Sequence, residues 1–431
     1  MTGFLLSPVT GHFSLLPMER SSLVLAVVLV LLGLVFLQQP RLRRYDEVFL
    51  RWLLKNSVLP DKPAPLTIVE IGSPNSQTQA AEPQSREGFL QSGGAANSPL
   101  EAALFLQAAL DFQPALVAFE PVLQWPEQAR EQEEIFVDQA MRVPELLLAA
   151  ELTATPEPDA PVVDVAGFSH VTGKRGNLAA FSGVARQPSE DVRVLAKLGF
   201  INLPVEVADG IHVPLLFQYR GEVIPSFALE AVLLWLHVSQ EEVTIDIGDA
   251  IQLPQGRRIP IESDGTVVIN PNAANLARRR TSNELLLAAQ QREQGKPLTE
   301  RDNLSNQVLL ARAASGGSGT RDALAAAIAT MQTNLFPRRV SWIFDCVSLA
   351  LIGAFSGALR KIARVDLILI AIAFTAGYCL FALGILSHSS IWLPGVLPLG
   401  ALWVSILVCL VSRKPKPLAK TAAVIAPPPA P

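Results

Sequence analysis

Four long apolar stretches dominate the hydrophobic pattern of the chain. The first lies within residues 22–39 and contains the uncharged run LVLAVVLVLLGLVFL; three more cover about residues 341–359, 365–386 and 391–411. Each is about 20 residues long, which is the length that a helix needs to cross about 30 Å of hydrocarbon. The pattern predicts four transmembrane α-helices, one near the N-terminus and three near the C-terminus.

The first apolar stretch has two interpretations, a cleaved signal peptide and an uncleaved anchor. It is long for the apolar region of a signal peptide, which has about 7–15 residues. It is followed by the sequence QQPR at 38–41 and by no small-x-small cleavage site. We therefore expect an uncleaved transmembrane helix.

Residues 40–340 have the mixed pattern of an α/β domain. Apolar residues at helical spacing predict helices at 98–112, 130–142, 282–293 and 321–334. Short β-rich runs predict strands at 66–72, 115–120, 243–247, 258–261, 266–270 and 307–314. The run ELLLAAEL at 145–152 fits a strand or a helix, and the proline-containing region 153–190 is expected to be irregular. The alternation of strands and helices favours a mixed, partly parallel sheet.

Basic residues near the C-terminus indicate how the chain crosses the membrane. They follow the second and the fourth apolar stretches, as Arg360, Lys361 and Arg364, and as Arg413, Lys414, Lys416 and Lys420. Because cytoplasmic loops carry an excess of Lys and Arg, both segments are expected in the cytoplasm, with residues 40–340 outside it. The cluster Arg41, Arg43 and Arg44 argues against this orientation, but long translocated domains depend little on such charges.

These inferences divide the chain into five parts. They are a short cytoplasmic N-terminus (1–21), a transmembrane helix (22–39), an extracytoplasmic domain (40–340), three transmembrane helices (341–411) and a disordered, basic, Pro-rich cytoplasmic tail (412–431). Twenty residues after the last span are too few to bury a core. We therefore expect no enzymatic output domain in this chain.

Charge and cysteine content narrow the function classes. Residues 23–339 contain 27 basic and 36 acidic residues, a net charge of −9, which disfavours a nucleic-acid partner. The three cysteines, Cys346, Cys379 and Cys409, all fall in predicted spans. The extracytoplasmic domain is thus expected to have neither disulfides nor a thiolate metal site.

No set of residues is better explained as a catalytic or metal site than as ordinary structural residues. The five histidines are scattered without paired spacing, and no G-x-S-x-G motif is present. The glycine loop GGSGT at 316–320 lacks the Gly-Lys-Ser/Thr of a phosphate-binding P-loop. Ser226 is best explained as a helix N-cap. We expect no cofactor, no metal and no enzymatic activity, although hydrolysis through Asp209 or Asp264 is a minor alternative.

One segment, residues 199–233, combines several turn and capping signals in a fixed order. These signals are Gly199-Phe200-Ile201-Asn202, Asp209-Gly210, Pro214-Leu215-Leu216, Tyr219-Arg220-Gly221 and Pro225-Ser226-Phe227-Ala228-Leu229-Glu230. The segment resembles the type-two CHASE domain, a bacterial extracytoplasmic sensory domain followed by three transmembrane helices. Weaker similarity extends over about residues 40–411, including the segments 68–76 and 114–123, which look like the family's first two strands, and 306–319, which lies where the family closes its sheet.

The sequence departs from the family at positions that end its strands. Gly72 and Glu120 stand where the family usually has Asp, His212 where it often has Arg, and Ala311 where it usually has Gly. Strand ends are where open α/β sheets bind ligands. The resemblance therefore implies that part of a shared site has been lost.

The resemblance implies a sensor or receptor subunit in a bacterial inner membrane, with cytoplasmic N- and C-termini, that signals through a separate protein partner or as a homo-oligomer. The alternative is a scaffold or accessory subunit of an envelope complex that uses a degenerate sensory domain. The candidate ligand or interaction surface consists of Glu120, Asp209, His212, Ser315 and Thr320. The candidate cytoplasmic contacts are Arg360, Lys361, Arg364, Arg413, Lys414 and Lys416.

Overall fold

The structure is a computed structural model, and its description covers part of the chain. The described residues are 28, 31, 33, 40–59, 62–72, 85–86, 89–90, 98–155, 163–204, 211–297, 303–313, 322–359 and 362–411. They form two compact units. The α/β unit contains residues 54–338 and 386–390, and the helical unit contains residues 1–53, 339–385 and 391–431.

The helices and strands of both units are numbered together along the chain. The described α-helices are α1 (Pro40–Asn56), α2 (Pro99–Leu110), α3 (Arg130–Ala140), α4 (Glu190–Arg193), α5 (Phe227–Trp235), α6 (Ser282–Glu293), α7 (Asp322–Thr333), α8 (Trp342–Leu359), α9 (Arg364–Ser389) and α10 (Val396–Val411). The described strands are β1 (Leu66–Ile71), β2 (Ser85–Arg86), β3 (Phe89–Leu90), β4 (Leu116–Phe119), β5 (Leu146–Thr153), β6 (His170–Thr172), β7 (Ala180–Phe181), β8 (Gly183–Arg186), β9 (Lys197–Phe200), β10 (Leu203–Pro204), β11 (His212–Pro214), β12 (Leu216–Tyr219), β13 (Glu222–Pro225), β14 (Thr244–Asp246), β15 (Ala250–Gln252), β16 (Arg258–Pro260), β17 (Thr266–Val268), β18 (Arg278–Thr281), β19 (Val308–Ala313), β20 (Arg338–Arg339) and β21 (Ile391–Trp392).

The main sheet has seven strands, of which six are parallel. Its order is β18-β1-β19-β4-β5, and β5 then pairs with β9 over its first half and with the antiparallel β8 over its second half. The protein is thus a mixed α/β protein with a partly parallel sheet, as the sequence predicts. Strand β19 is inserted between β1 and β4, although β4 is the next of these three strands along the chain.

Helices cover both faces of the main sheet. Successive residues of the strands alternate between two cores: in β4, for example, Leu116 and Ala118 belong to one and Val117 and Phe119 to the other. The first core also contains α5 and α7, and the second contains α2, α3 and α6. Because both faces are buried, the central strands are mostly apolar, which explains why β5 could not be distinguished from a helix by periodicity.

The segment that resembles a CHASE domain is an architectural unit. A β-carbon on Gly199 would lie 2.8 Å from the α-carbon of Phe227, so β9 and α5 pack at backbone contact. Arg220 and Gly221 both have positive φ, as in the two-residue turns that join β-hairpins, and they connect β12 to β13. Ser226 then caps α5, where its hydroxyl accepts a hydrogen bond from the N–H of Leu229 at 3.4 Å.

The predicted helices agree with the structure, whereas several strands were missed. The region 153–190 contains β6, β7 and β8, so the expectation of an irregular segment is wrong there. These strands depend on distant partners, since β6 pairs with β14 and β7 with β12. Local sequence pattern does not reveal such pairing. The smaller sheets are β2-β3-β10, β11-β17, β7-β12-β13, β6-β14-β15-β16 and β20-β21.

The helical unit contains the apolar helices near the C-terminus. Among the described residues, only α9 is long and apolar enough by composition to cross a membrane. The apolar stretches Trp342–Phe355 and Val396–Val411 are also helical but shorter. Residues 22–39 lie almost entirely outside the described residues. Of the three predicted spans that the described residues cover, one meets the length criterion.

Candidate functional site

A buried cluster of charged side chains lies at the carboxyl edge of the parallel sheet. Glu120 directly follows β4, and Arg312 lies near the end of the neighbouring β19. Asp322 is the first residue of α7. The carboxyl edge is where open α/β sheets place ligands, at a point where neighbouring strands are not consecutive in the chain. Strand β19, inserted between β1 and β4, creates such a point.

The Arg312 guanidinium links the other side chains of the cluster. Its Nε donates to Glu120 Oε2 at 2.7 Å, and its Nη1 donates to Asp322 Oδ1 at 2.7 Å. Arg279, on β18, donates from Nη2 to the same Asp322 oxygen at 3.1 Å. Arg312 and Glu120 are only 6% and 7% exposed. One side chain thus connects two strands of the sheet to the start of a helix.

The electrostatics of the cluster keep Arg312 charged. Burial by itself favours the neutral guanidine, but the carboxylates of Glu120 and Asp322 outweigh burial and hold the pKa of Arg312 above its ordinary value. Removing one partner from a buried ion pair typically costs about 3–5 kcal/mol, because the other charge is left uncompensated. The cluster can therefore fix the position of α7, and any change in its contacts would be energetically significant.

Of the five residues predicted for a ligand surface, the described structure places one, Glu120, in the carboxyl-edge cluster. Glu120 belongs to the cluster, whereas His212 lies in β11 and pairs with Val268 in a separate two-stranded sheet. Asp209, Ser315 and Thr320 lie outside the described residues.

The predicted cytoplasmic contacts are mostly outside the described part of the chain. Arg364 begins α9 and is exposed. The other five lie outside the described residues: Arg360, Lys361, Arg413, Lys414 and Lys416.

The sequence interpretation missed Arg312, Asp322 and Arg279. Arg312 did leave a signal, because it is the only charged residue in the apolar run VLLARA, and a lone charge in a buried strand needs a buried partner. Asp322 is an acidic residue in the first turn of a helix, a position too common to indicate a site. Arg279 lies in the sequence RRRT, which has no strand-like pattern.

A second buried charged group lies within the helical unit. Asp46 accepts hydrogen bonds from the N–H groups of Gly395 and Val396 at 3.2 and 3.0 Å. Arg339 lies 3.6 Å from Asp46 and donates to Asp345 Oδ2 at 3.1 Å. Asp345 lies near the end of a predicted span, and its side chain is fully buried. Arg339 compensates the charge of this carboxylate.

Metal ligands are not grouped in the described part of the chain. No cluster of three or more His, Cys, Asp or Glu side chains with a geometry suited to a metal ion occurs among the described residues. The two carboxylates of the carboxyl-edge cluster bind an arginine. This arrangement suits positioning and charge recognition.

Comparisons with known proteins add no identification. No family model matches the sequence, no curated protein matches it, and no solved structure matches it at a significant level. The similarity to CHASE domains therefore stays a prediction from the residues quoted above.

Proposed function

We propose that this protein is a membrane-anchored sensor or receptor subunit of a bacterial inner membrane, with an extracytoplasmic α/β domain, that signals through a separate protein partner. The α/β unit, the membrane-length helix α9 and the two shorter apolar helices support this proposal. In the proposed topology the chain crosses the membrane four times, with both termini in the cytoplasm.

The position of Asp322 is the observation that carries the proposal. This residue is held by Arg312 and Arg279 at the carboxyl edge, and it begins α7. Helix α7 is 12 residues long, or about 18 Å. Only residues 334–341 separate its end from α8, which contains the second predicted span. A change at the carboxyl edge would thus be passed through one helix and a short linker to a membrane segment.

Signalling requires two conformations that a ligand or partner binds with different affinity. The Arg312 cluster can supply this difference. A ligand that competes for the carboxylate of Asp322, or for the guanidinium of Arg312, would release the start of α7 from the sheet. A ligand that contacts both groups would hold it more firmly.

The burial of the same cluster favours a second candidate, a structural subunit of an envelope complex. The Arg312 guanidinium is already bound by Glu120 and Asp322, and it is 6% exposed. On this alternative, the ion pairs of Arg312 stabilise the fold and have no further role. On this alternative the α/β unit is a rigid interaction surface.

Asp322→Asn distinguishes the two candidates. The wild-type protein is purified from native membranes in mild detergent, and its partners are identified by mass spectrometry. A kinase, cyclase or other signalling enzyme at fixed stoichiometry supports the receptor. The activity of that enzyme, reconstituted with the full chain, should change with Asp322→Asn and not with the control Asp138→Asn, an exposed residue of α3.

Two results would contradict the receptor proposal. If the partners are envelope-assembly proteins only, the structural alternative is favoured. If a signalling enzyme is bound but its activity is the same with Asp322→Asn and with wild type, the cluster does not transmit a signal.

A further inference from the structure

A cavity of about 560 Å³ opens in the α/β unit, and its wall contains none of the four residues of the charged cluster described above. It is formed by the end of α5, by the turn between β15 and β16, and by the segment after α7. The apolar part of its wall includes Trp235, Leu236 and Val238. The volume is within the range of small-molecule sites, which is about 300–1,000 Å³.

The polar part of the wall is strongly basic. Arg257, Arg258 and Arg338 line the cavity, and none of the described residues that line it is acidic. Arg258 forms an ion pair with Asp249, outside the cavity wall. A wall in which three arginines face one carboxylate, that of Asp249 behind Arg258, attracts anions.

Arg257 is held in place by neutral groups. Its Nη2 donates to the carbonyl oxygen of Gln332 at 2.9 Å, and its guanidinium carbon lies 5.7 Å from the centre of the Trp235 ring. Both contacts orient the guanidinium without neutralising its charge. Burial lowers the pKa of Arg257 from its ordinary value, and no carboxylate among the described residues offsets this effect. An anion in the cavity would supply the missing compensation.

The backbone around the cavity is left-handed at two points. Gln255 and Asn334, both in the wall, have φ of 66° and 59°. Asn334 directly follows α7, where a left-handed asparagine is a common helix end, whereas this conformation is uncommon for glutamine. The turn that contains Gln255 also places Arg257 and Arg258 in the cavity wall.

We propose that this cavity binds a phosphate group that carries an apolar or neutral substituent. Arginine side chains recognise phosphate oxygens through paired hydrogen bonds, and three guanidinium groups exceed what a single carboxylate can neutralise. The wall formed by Trp235, Leu236 and Val238 would contact the substituent.

The phosphate group has two sources, a phospholipid headgroup and a soluble phosphate ester. Arg338 lies three residues before the predicted span at 341, so the chain allows it to be no more than about 11 Å from the membrane edge. The lipid source therefore rests on the proposed membrane topology, whereas the anion site does not.

Binding measurements on the full chain in phosphate-free detergent test the proposal. Inorganic phosphate, glycerol 3-phosphate and, separately, phosphatidylglycerol are added, with thermal stability measured for the soluble anions and native mass spectrometry for the lipid. We expect saturable binding of at least one of the three. Arg257→Gln and Arg338→Gln should each weaken it by roughly tenfold or more, the effect of one charged hydrogen bond. Arg142→Gln, at an exposed position outside the cavity, is the matched control.

Each outcome is decisive for the site. Binding of the lipid alone assigns the source to the membrane, and binding of the soluble anions assigns it to a phosphate ester. If no anion binds, or if the two cavity variants bind as wild type does, the proposal is wrong. Arg338→Gln decides the matter if Arg257→Gln fails to fold, because Arg338 is exposed. None of these results depends on a signalling partner, so the proposed function is tested separately.

Discussion

At the scale of single residues, the side chain of Asn202 takes the place of a neighbouring strand in the hydrogen bonding of β5. The pairing of β5 with β8 shifts register between Glu151 and Leu152. At this point the Asn202 side chain accepts from the N–H of Leu152 at 2.8 Å and donates to its carbonyl oxygen at 2.9 Å. The side-chain amide thus provides hydrogen-bond partners for two buried backbone groups of Leu152.

Asn202→Ala should lower the free energy of unfolding by about 2–4 kcal/mol, because each unsatisfied buried group costs about 1–3 kcal/mol. Denaturant unfolding in detergent measures the change. Asn177→Ala, at an exposed position, should change stability by less than about 0.5 kcal/mol. Equal stability of the two variants would show that the Leu152 contacts contribute nothing.

Glu230 makes stability depend on pH. It is 4% exposed in α5, and burial raises the pKa of its carboxyl above the ordinary value, partly offset by a hydrogen bond from Gln240 and by the charge of Lys197. Between the unfolded pKa of about 4.3 and the raised folded pKa, the folded state binds more protons. The contribution of Glu230 to stability is therefore present at acid pH and lost as pH rises.

Glu230→Gln should be more stable than wild type at pH 7, and this difference should shrink as the pH approaches 4. The comparison uses unfolding free energies measured over that range. Glu241→Gln, at an exposed neighbouring site, should show no such pH-dependent gain. A difference for Glu230→Gln that is constant with pH would contradict the titration of Glu230.

At the scale of elements, the close packing of β9 against α5 makes glycine necessary at position 199. Gly199→Ala would place a β-carbon 2.8 Å from Phe227 Cα, and backbone cannot yield as a flexible side chain can. We expect a loss of about 1–3 kcal/mol in unfolding free energy. Gly176→Ala is the control, since a β-carbon there meets nothing within 4 Å. A Gly199→Ala protein as stable as this control would show that β9 and α5 can separate without cost.

Elements with a local signal were predicted, and elements defined by distant partners were not. Helix α2 was recognisable from its Ser98 cap, whose hydroxyl accepts from the N–H of Glu101 at 3.3 Å. Strand β18 was missed because its sequence, RRRT, lacks any β-pattern; it is a strand only because β1 lies beside it in parallel.

The same distinction applies to the carboxyl-edge cluster. Glu120 was recognisable because it follows a buried strand directly. Its partner Arg312 is 192 residues away, and the sequence does not show that β19 lies beside β4. A single sequence can therefore indicate that a charged group ends a strand, but not which group neutralises it.

At the scale of the whole molecule, cysteine labelling tests the proposed topology. In a protein whose three native cysteines are replaced by Ser, Lys174→Cys in the α/β unit should react with a membrane-impermeant maleimide on spheroplasts. Ser412→Cys, after the last predicted span, should react only after the membrane is permeabilised. The reverse pattern would invert the topology, and labelling of both sites without permeabilisation would exclude the four-span arrangement.

The arginines of β18 also affect how copies of the protein behave beside one another. This strand is the outermost of the parallel array, and an outer strand is a template for strands of other chains. Arg278, Arg279 and Arg280 stand in sequence on it, and charged side chains on an outer strand disfavour its pairing with another chain. These arginines would thus oppose aggregation through the sheet, even where the protein is crowded at a surface.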